Sequence, residues 1–210
     1  MVTKQKKAAK PAGKTPARKP VTKRVAAPEA PPERVGVIEL AGKPATVVGG
    51  DVQVGQAAPR FTAQVGSWAG MNTWDEIDPL EATRGKVRIL TALPSLDTSV
   101  CDAETRRFNE AAAGLGDDVC VIAVSTDLPI AQKRWCAAAG VGRVMTVSDH
   151  MAGEFGVKYG TLIKERRWFR RAVFVVGKDG QIHYAAYMPK LGDEPNYDEV
   201  LAAAKQLLAA

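Results

Sequence analysis

The chain has 210 residues, 46% hydrophobic and 25% charged, which is enough for one sizeable globular domain and short for two. No apolar run approaches the roughly 18 residues of a membrane span, and three cysteines are too few for a disulfide-stapled scaffold. The formal charge of +6 is uneven: residues 1–35 hold ten Lys/Arg against two Glu, while residues 36–210 hold 19 basic and 21 acidic side chains.

The first segment is built from Lys, Ala, Pro, Thr and Val, and no aromatic residue precedes Phe61. It buries too little apolar surface to offset ordering costs of ~1–2 kcal/mol per residue. The sequence therefore predicts a disordered basic tail over 1–35 and a folded domain over 36–210. No apolar stretch follows the basic start as it does in a secretory signal. The tail is either a solubilising extension or a weak, sequence-blind contact with nucleic acid or another anionic surface.

Within the domain, Val35–Leu40 and Ala45–Val48 flank the turn residues Ala41-Gly42-Lys43-Pro44 and predict a β-hairpin. Phe61–Val65 reads as a short strand, and Met71–Glu81 as loop with an edge strand. Val87–Leu93 is a continuous apolar run bounded by Gly85 and Pro94, the pattern of a buried central strand. Val100, Glu104, Phe108, Ala111, Ala112 and Leu115 then recur at helical spacing as far as Gly114 and Gly116.

A second buried strand is expected at Val119–Ser125. A helix follows over Leu128–Ala139, with Asp127 as N-cap, Pro129 in its first turn and Gly140 as its stop. Val144–Val147 predicts a strand and Ala152–Phe155 a short helix. Ala172–Val176 and Ile182–Ala186 flank an Asp-Gly turn and predict a hairpin, and Tyr197–Leu208 a closing helix. Strands alternate with helices and end in a hairpin and a helix, which predicts a mixed sheet covered on both faces, a three-layer α/β/α sandwich with an N-terminal β-hairpin. There is no G-x-G-x-x-G or Walker A loop. The two histidines do not sit at zinc spacing.

Cys101 is the most informative residue. It follows a buried strand, a proline and a short loop, and falls in the first turn of a helix. Unpaired N–H groups and partial positive charge at a helix N-terminus favour the thiolate, the nucleophilic form of cysteine. The same position also suits an inert core thiol. Thr98, three residues earlier, is placed either to cap the helix or to bond the sulfur or a substrate oxygen. Pro94 would wall the pocket and exclude water.

Pro94-x-x-x-Thr98-x-x-Cys101 matches the P-x-x-x-T-x-x-C signature of the peroxiredoxins. The string from Ser95 to Cys101, the stretch Ser125–Cys136 and Arg171-Ala172-Val173-Phe174-Val175-Val176 together resemble the bacterial thiol peroxidase branch of that family, of atypical two-cysteine type. The resemblance runs in order over residues 36–208 and has no counterpart for the tail. It implies a thioredoxin-like fold, Cys101 as peroxidatic cysteine and Cys136 as resolving cysteine of the same chain, joined in an intramolecular disulfide. It further implies hydroperoxide substrates with alkyl hydroperoxides preferred, thioredoxin as reductant, an antioxidant role in the cytoplasm and a homodimer.

Arg171 matches the family's active-site arginine, whose permanent charge can face both sulfur and peroxide. Its neighbours Arg166, Arg167 and Arg170 make it indistinguishable by composition alone. No metal or organic cofactor is required, because sulfur carries the redox change. Cys136 could instead pack beside Trp135, or form a permanent disulfide with Cys101. Cys120 reads as a core thiol. The stripe Arg166–Arg171 could stack on nucleic acid, but its position before the Arg171 strand points to a loop bordering the active site or a dimer contact. Two other functions are compatible with parts of the chain: a general disulfide oxidoreductase, for which C-x-x-C is missing, and a peroxide sensor tethered to nucleic acid by its tail.

Overall fold

The apolar runs near residues 90 and 120 become the centre of a seven-stranded sheet in the computed structural model, which describes residues 30–66 and 74–209. In chain order the first elements are β1 (Glu33–Leu40), β2 (Lys43–Val48), β3 (Ala63–Gly66), β4 (Trp74–Ile77), α1 (Pro79–Ala82) and β5 (Val87–Ala92). There follow α2 (Ser99–Leu115), β6 (Val119–Ser125), α3 (Pro129–Ala139), β7 (Val144–Ser148) and α4 (Glu154–Lys158). The chain continues through β8 (Leu162–Ile163), β9 (Trp168–Phe169), β10 (Ala172–Val176), β11 (Ile182–Tyr187) and α5 (Tyr197–Ala209).

The main sheet has the order β11-β10-β5-β6-β7-β3-β4. β5, β6 and β7 run parallel, and β10 lies antiparallel to β5 with Ala172 opposite Ala92. Every residue of β5 is buried, so both faces of the sheet must be covered. Strand period sorts the side chains. Val87, Ile89, Val121, Val173 and Val175 face a cluster completed by Phe108 of α2 and Val200 of α5. Leu90, Ile122, Val124 and Phe174 face the opposite cluster, which includes Phe61, Phe155 and Tyr159. Phe155 stacks on Tyr159 at 4.5 Å between ring centroids and meets Phe61 at 4.9 Å. Gly156 is required there, because a Cβ would stand 2.6 Å from the Phe169 ring. This is the expected α/β/α layering.

The predicted N-terminal hairpin forms with Ala41 and Gly42 at positive φ in its turn. It joins β8 and β9, which were not expected, in a separate four-stranded sheet. The helix predicted at Ala152–Phe155 begins later, at Glu154, because the Asp149 carboxylate accepts the amides of Glu154 and Gly156 and organises the turn before it. Part of the ambiguous 71–81 stretch lies outside the described residues. The rest is β4 and the short α1, capped by Asp78, which accepts from Leu80 and Glu81.

α3 starts with Pro129 at its first position and stops at Gly140 in left-handed conformation, as predicted. Asp127 is not its N-cap, since Leu128 holds that position. The Asp127 carboxylate instead accepts the Leu96 amide and the Ser125 hydroxyl, each at 2.8 Å. No helix among the described residues is long and apolar enough to cross a membrane. Most of the segment predicted as a basic tail lies outside the described residues, but its last three, Glu33, Arg34 and Val35, are not tail: they open β1 and pair with Val48, Val47 and Thr46 of β2.

Candidate active site

β5 ends in Leu93 and the buried Pro94, and the chain then turns sharply into α2. The Thr98 amide and hydroxyl both donate to the Ser95 carbonyl, at 3.1 and 3.0 Å. Thr98 thus takes the N-cap position without capping through its side chain, and of the partners considered for its hydroxyl neither the helix amides nor the sulfur receives it, since it bonds within the turn. Its lone pairs stay available to accept a hydrogen bond from a ligand. Cys101 is the third residue of α2 and is 0% exposed.

The antiparallel register of β10 on β5 delivers Arg171 to the same end of the sheet. Arg171 is only 1% exposed. Its Nη2 donates to Cys101 Sγ at 3.3 Å and to the Leu191 carbonyl at 3.3 Å, while Nη1 donates to the Glu104 carboxylate. Burial works against the Arg171 charge, but Glu104 and Cys101 opposite it more than compensate, so the guanidinium is held protonated. Pro94, Thr98, Val100, Trp168, Arg171 and Leu191 line a cavity of about 250 Å³ over this centre. The neighbouring Arg170 turns elsewhere: it pairs with Asp51 and lies over the Tyr187 ring at 4.1 Å. Of the Arg166–Arg171 stripe, Trp168 and Arg171 line the cavity, Phe169 and Arg170 are buried elsewhere, and Arg166 and Arg167 are exposed.

All three cysteines are free thiols. Cys136, half-buried on α3, has its sulfur 3.5 Å from Thr146 Oγ1, and burial pushes its thiol up. α3 is fastened to α2 beside it. Trp135 donates to Asp102 at 3.1 Å, and Arg106 donates to Asp102 at 2.9 Å and to the Ala139 carbonyl at 2.8 Å. Cys120 is half-buried near the start of β6, its thiol also raised by burial, at the end of the sheet away from Cys101.

Glu104 is the site residue that sequence reasoning missed. Its signal was present: a carboxylate within the apolar stripe of α2, three residues after Cys101 and so on the same helix face. It is 0% exposed, and burial raises its carboxyl from 4.5 to about 7 against the pull of the Arg171 charge. The native carboxyl therefore holds its proton well above the range in which the unfolded one releases it. Stability from this group is full below pH 4.5 and is lost as pH rises through about 7. Urea unfolding of the reduced protein should lose on the order of 3 kcal/mol between those limits relative to Glu104→Gln. Asp149, raised by burial to about 6, titrates in both proteins and cancels in the difference. A difference that does not change with pH would mean that Glu104 is ionised throughout.

The redoxin family pattern matches residues 53–201. The thiol peroxidase of Bacillus subtilis (strain 168) is 46% identical over 171 residues, which cover 81% of this chain and 98% of that protein. A crystal structure of a peroxiredoxin-like protein from Aquifex aeolicus is 36% identical, with a TM-score of 0.69 over 81% of this chain and 96% of its own. The thiol peroxidase from Chromobacterium violaceum, at 16% identity and a TM-score of 0.66 over 80% of this chain and 95% of its own, shares the fold.

Proposed function

Since the chain belongs to the redoxin family, we propose that it is a thiol peroxidase that reduces hydroperoxides through Cys101. The observation that carries this reading is the Arg171 guanidinium, which donates to the buried Cys101 sulfur at 3.3 Å and also lines an apolar-walled cavity beside it. The Cys101 thiolate attacks the terminal oxygen of the hydroperoxide. The O–O bond breaks, the sulfur becomes a sulfenic acid, and the leaving alkoxide or hydroxide takes a proton and departs as alcohol or water. Arg171 keeps positive charge beside both the sulfur and the departing oxygen. Pro94 and Trp168 limit water, and Thr98 accepts from the peroxide hydroxyl.

Cys136 then condenses with the sulfenic acid, releasing water and leaving an intramolecular Cys101–Cys136 disulfide. A thioredoxin-type dithiol returns both cysteines to thiols by exchange. Bringing Cys136 to Cys101 requires Cα atoms about 4.4–6.8 Å apart. The Asp102–Trp135 and Arg106–Ala139 bonds join α2 to α3 in the reduced chain, and on this reading they open in that step. The reading further places a homodimer in a reducing cytoplasm, with the residues before β1 as an extension of the catalytic domain.

Peptide mapping by mass spectrometry after one equivalent of tert-butyl hydroperoxide tests the cycle. The expected product is a Cys101–Cys136 disulfide within one chain, with Cys120 still a thiol. Cys101 arrested as sulfenic or sulfinic acid beside an unmodified Cys136 would remove Cys136 from the mechanism.

A further inference from the structure

At the opposite end of the sheet from Cys101, the second residue of β5 is a buried arginine. Arg88 is 4% exposed. Its Nη1 donates to the carbonyls of Lys86 and Gly177, the latter at 2.8 Å, and its Nε has no partner among the described residues. None of the ion pairs among the described residues involves it. A buried guanidinium normally recruits a carboxylate into direct contact; this one has none, and Asp179 acts on it only through space. Burial accordingly lowers its affinity for its proton.

Arg88 lines a cavity of about 240 Å³ together with Arg60, Arg84 and Lys178. The cavity opens to solvent and is bounded by Lys178–Gly180 of the turn between β10 and β11 and by Leu80 and Glu81 of α1. Glu81 and Asp179 share the lining with these four cations, and two carboxylates just outside it pair with two of them, Asp78 with Arg60 at 2.6 Å and Asp118 with Lys178 at 3.5 Å, which leaves Arg88 as the cation of the four without an ion pair among the described residues. Both lining carboxylates are already engaged. Glu81 pairs with Arg84 at 2.5 Å and Arg60 at 3.4 Å, and Asp179 accepts from the Gln181 amide at 3.0 Å and contacts His183 at 3.1 Å. The side chains of Arg60, Arg84 and Lys178 are 63%, 74% and 45% exposed, so their pairs are inexpensive to open for a stronger anion.

We propose that this cavity binds a phosphate group, carried by inorganic phosphate or by a small phosphate monoester. A dianion suits a cluster whose buried member lacks an ion-pair partner, and arginine forks match phosphate oxygens bidentately. The volume is several times the ~30 Å³ share of a water molecule, which leaves room for a small organic moiety beside the phosphate. The site is separate from the peroxide centre and does not depend on its chemistry.

The test is an amide NMR titration of the reduced full-length chain with sodium phosphate, against sodium chloride at equal ionic strength. Saturable shifts of the Asp179 and Gly180 amides are expected with phosphate only. Affinity should fall about tenfold in Lys178→Ala and in Arg84→Ala, and further in Arg88→Met. The two exposed positions carry the test if Arg88→Met fails to fold. A parallel titration with glycerol 1-phosphate separates the sources: tighter binding than inorganic phosphate identifies a phosphate monoester, and equal or weaker binding identifies the free ion. Shifts that stay linear with phosphate, or that saturate equally in Lys178→Ala and Arg84→Ala, would overturn the proposal.

Discussion

Cys101→Ser is expected to lower thioredoxin-linked turnover of tert-butyl hydroperoxide by more than about 10³-fold, the scale on which removal of a catalytic nucleophile acts. A serine hydroxyl stays protonated at neutral pH and cannot accept oxygen as sulfur does. Nothing else around the pocket substitutes for it, because Cys136 and Cys120 are half-buried thiols raised by their surroundings. The serine can take up the Arg171 Nη2–H that now goes to sulfur, so the fold should survive, and circular dichroism checks that. Cys120→Ser, at the far end of β6, should leave turnover intact. Substantial residual activity in Cys101→Ser, within tenfold of the parent, would move the chemistry to another residue.

Much of this centre was legible because its scaffold is buried on both faces. β5 and β6 read as continuous apolar runs for that reason, and the turn after Pro94 is marked by residues that stop a strand and start a helix. β8 and β9 could not be read, since two-residue strands have no period. Asp127 looked like a helix cap, the usual use of Asp before Pro. Its carboxylate is committed to the Leu96 amide from a loop thirty-one residues away in sequence, a long-range bond that no local rule contains. Arg171 was separable from Arg170 only by family resemblance, yet in the link between β9 and β10 their surroundings differ completely, Arg170 meeting Asp51 and Tyr187 and Arg171 meeting Cys101 and Glu104. Glu104 and Arg88 were hidden in the same way. Each is a charge inside an apolar pattern, and patterns are read for their majority. Such exceptions are where burial makes a charge most expensive and so most informative.

Arg171→Met should reduce kcat/KM for tert-butyl hydroperoxide by about 10²–10³-fold, the usual loss when a preorganised charge-stabilising donor is removed. The guanidinium serves three acceptors at once, Cys101, Glu104 and the Leu191 carbonyl. Lysine can keep the charge but cannot span all three, so Arg171→Lys should fall between methionine and the parent. Breaking one side of a buried pair costs about 3–5 kcal/mol when the other side stays charged. Glu104, with its carboxyl near 7, can escape much of that cost by taking a proton. Stability of Arg171→Met should therefore drop more at pH 8 than at pH 5. Adding Glu104→Gln should restore the stability at pH 8 and leave the activity low, because an amide relieves the orphaned charge without supplying one beside the sulfur. If the double variant regained both, Arg171 would be acting only through the fold, and the charge beside Cys101 would have no part in breaking the O–O bond.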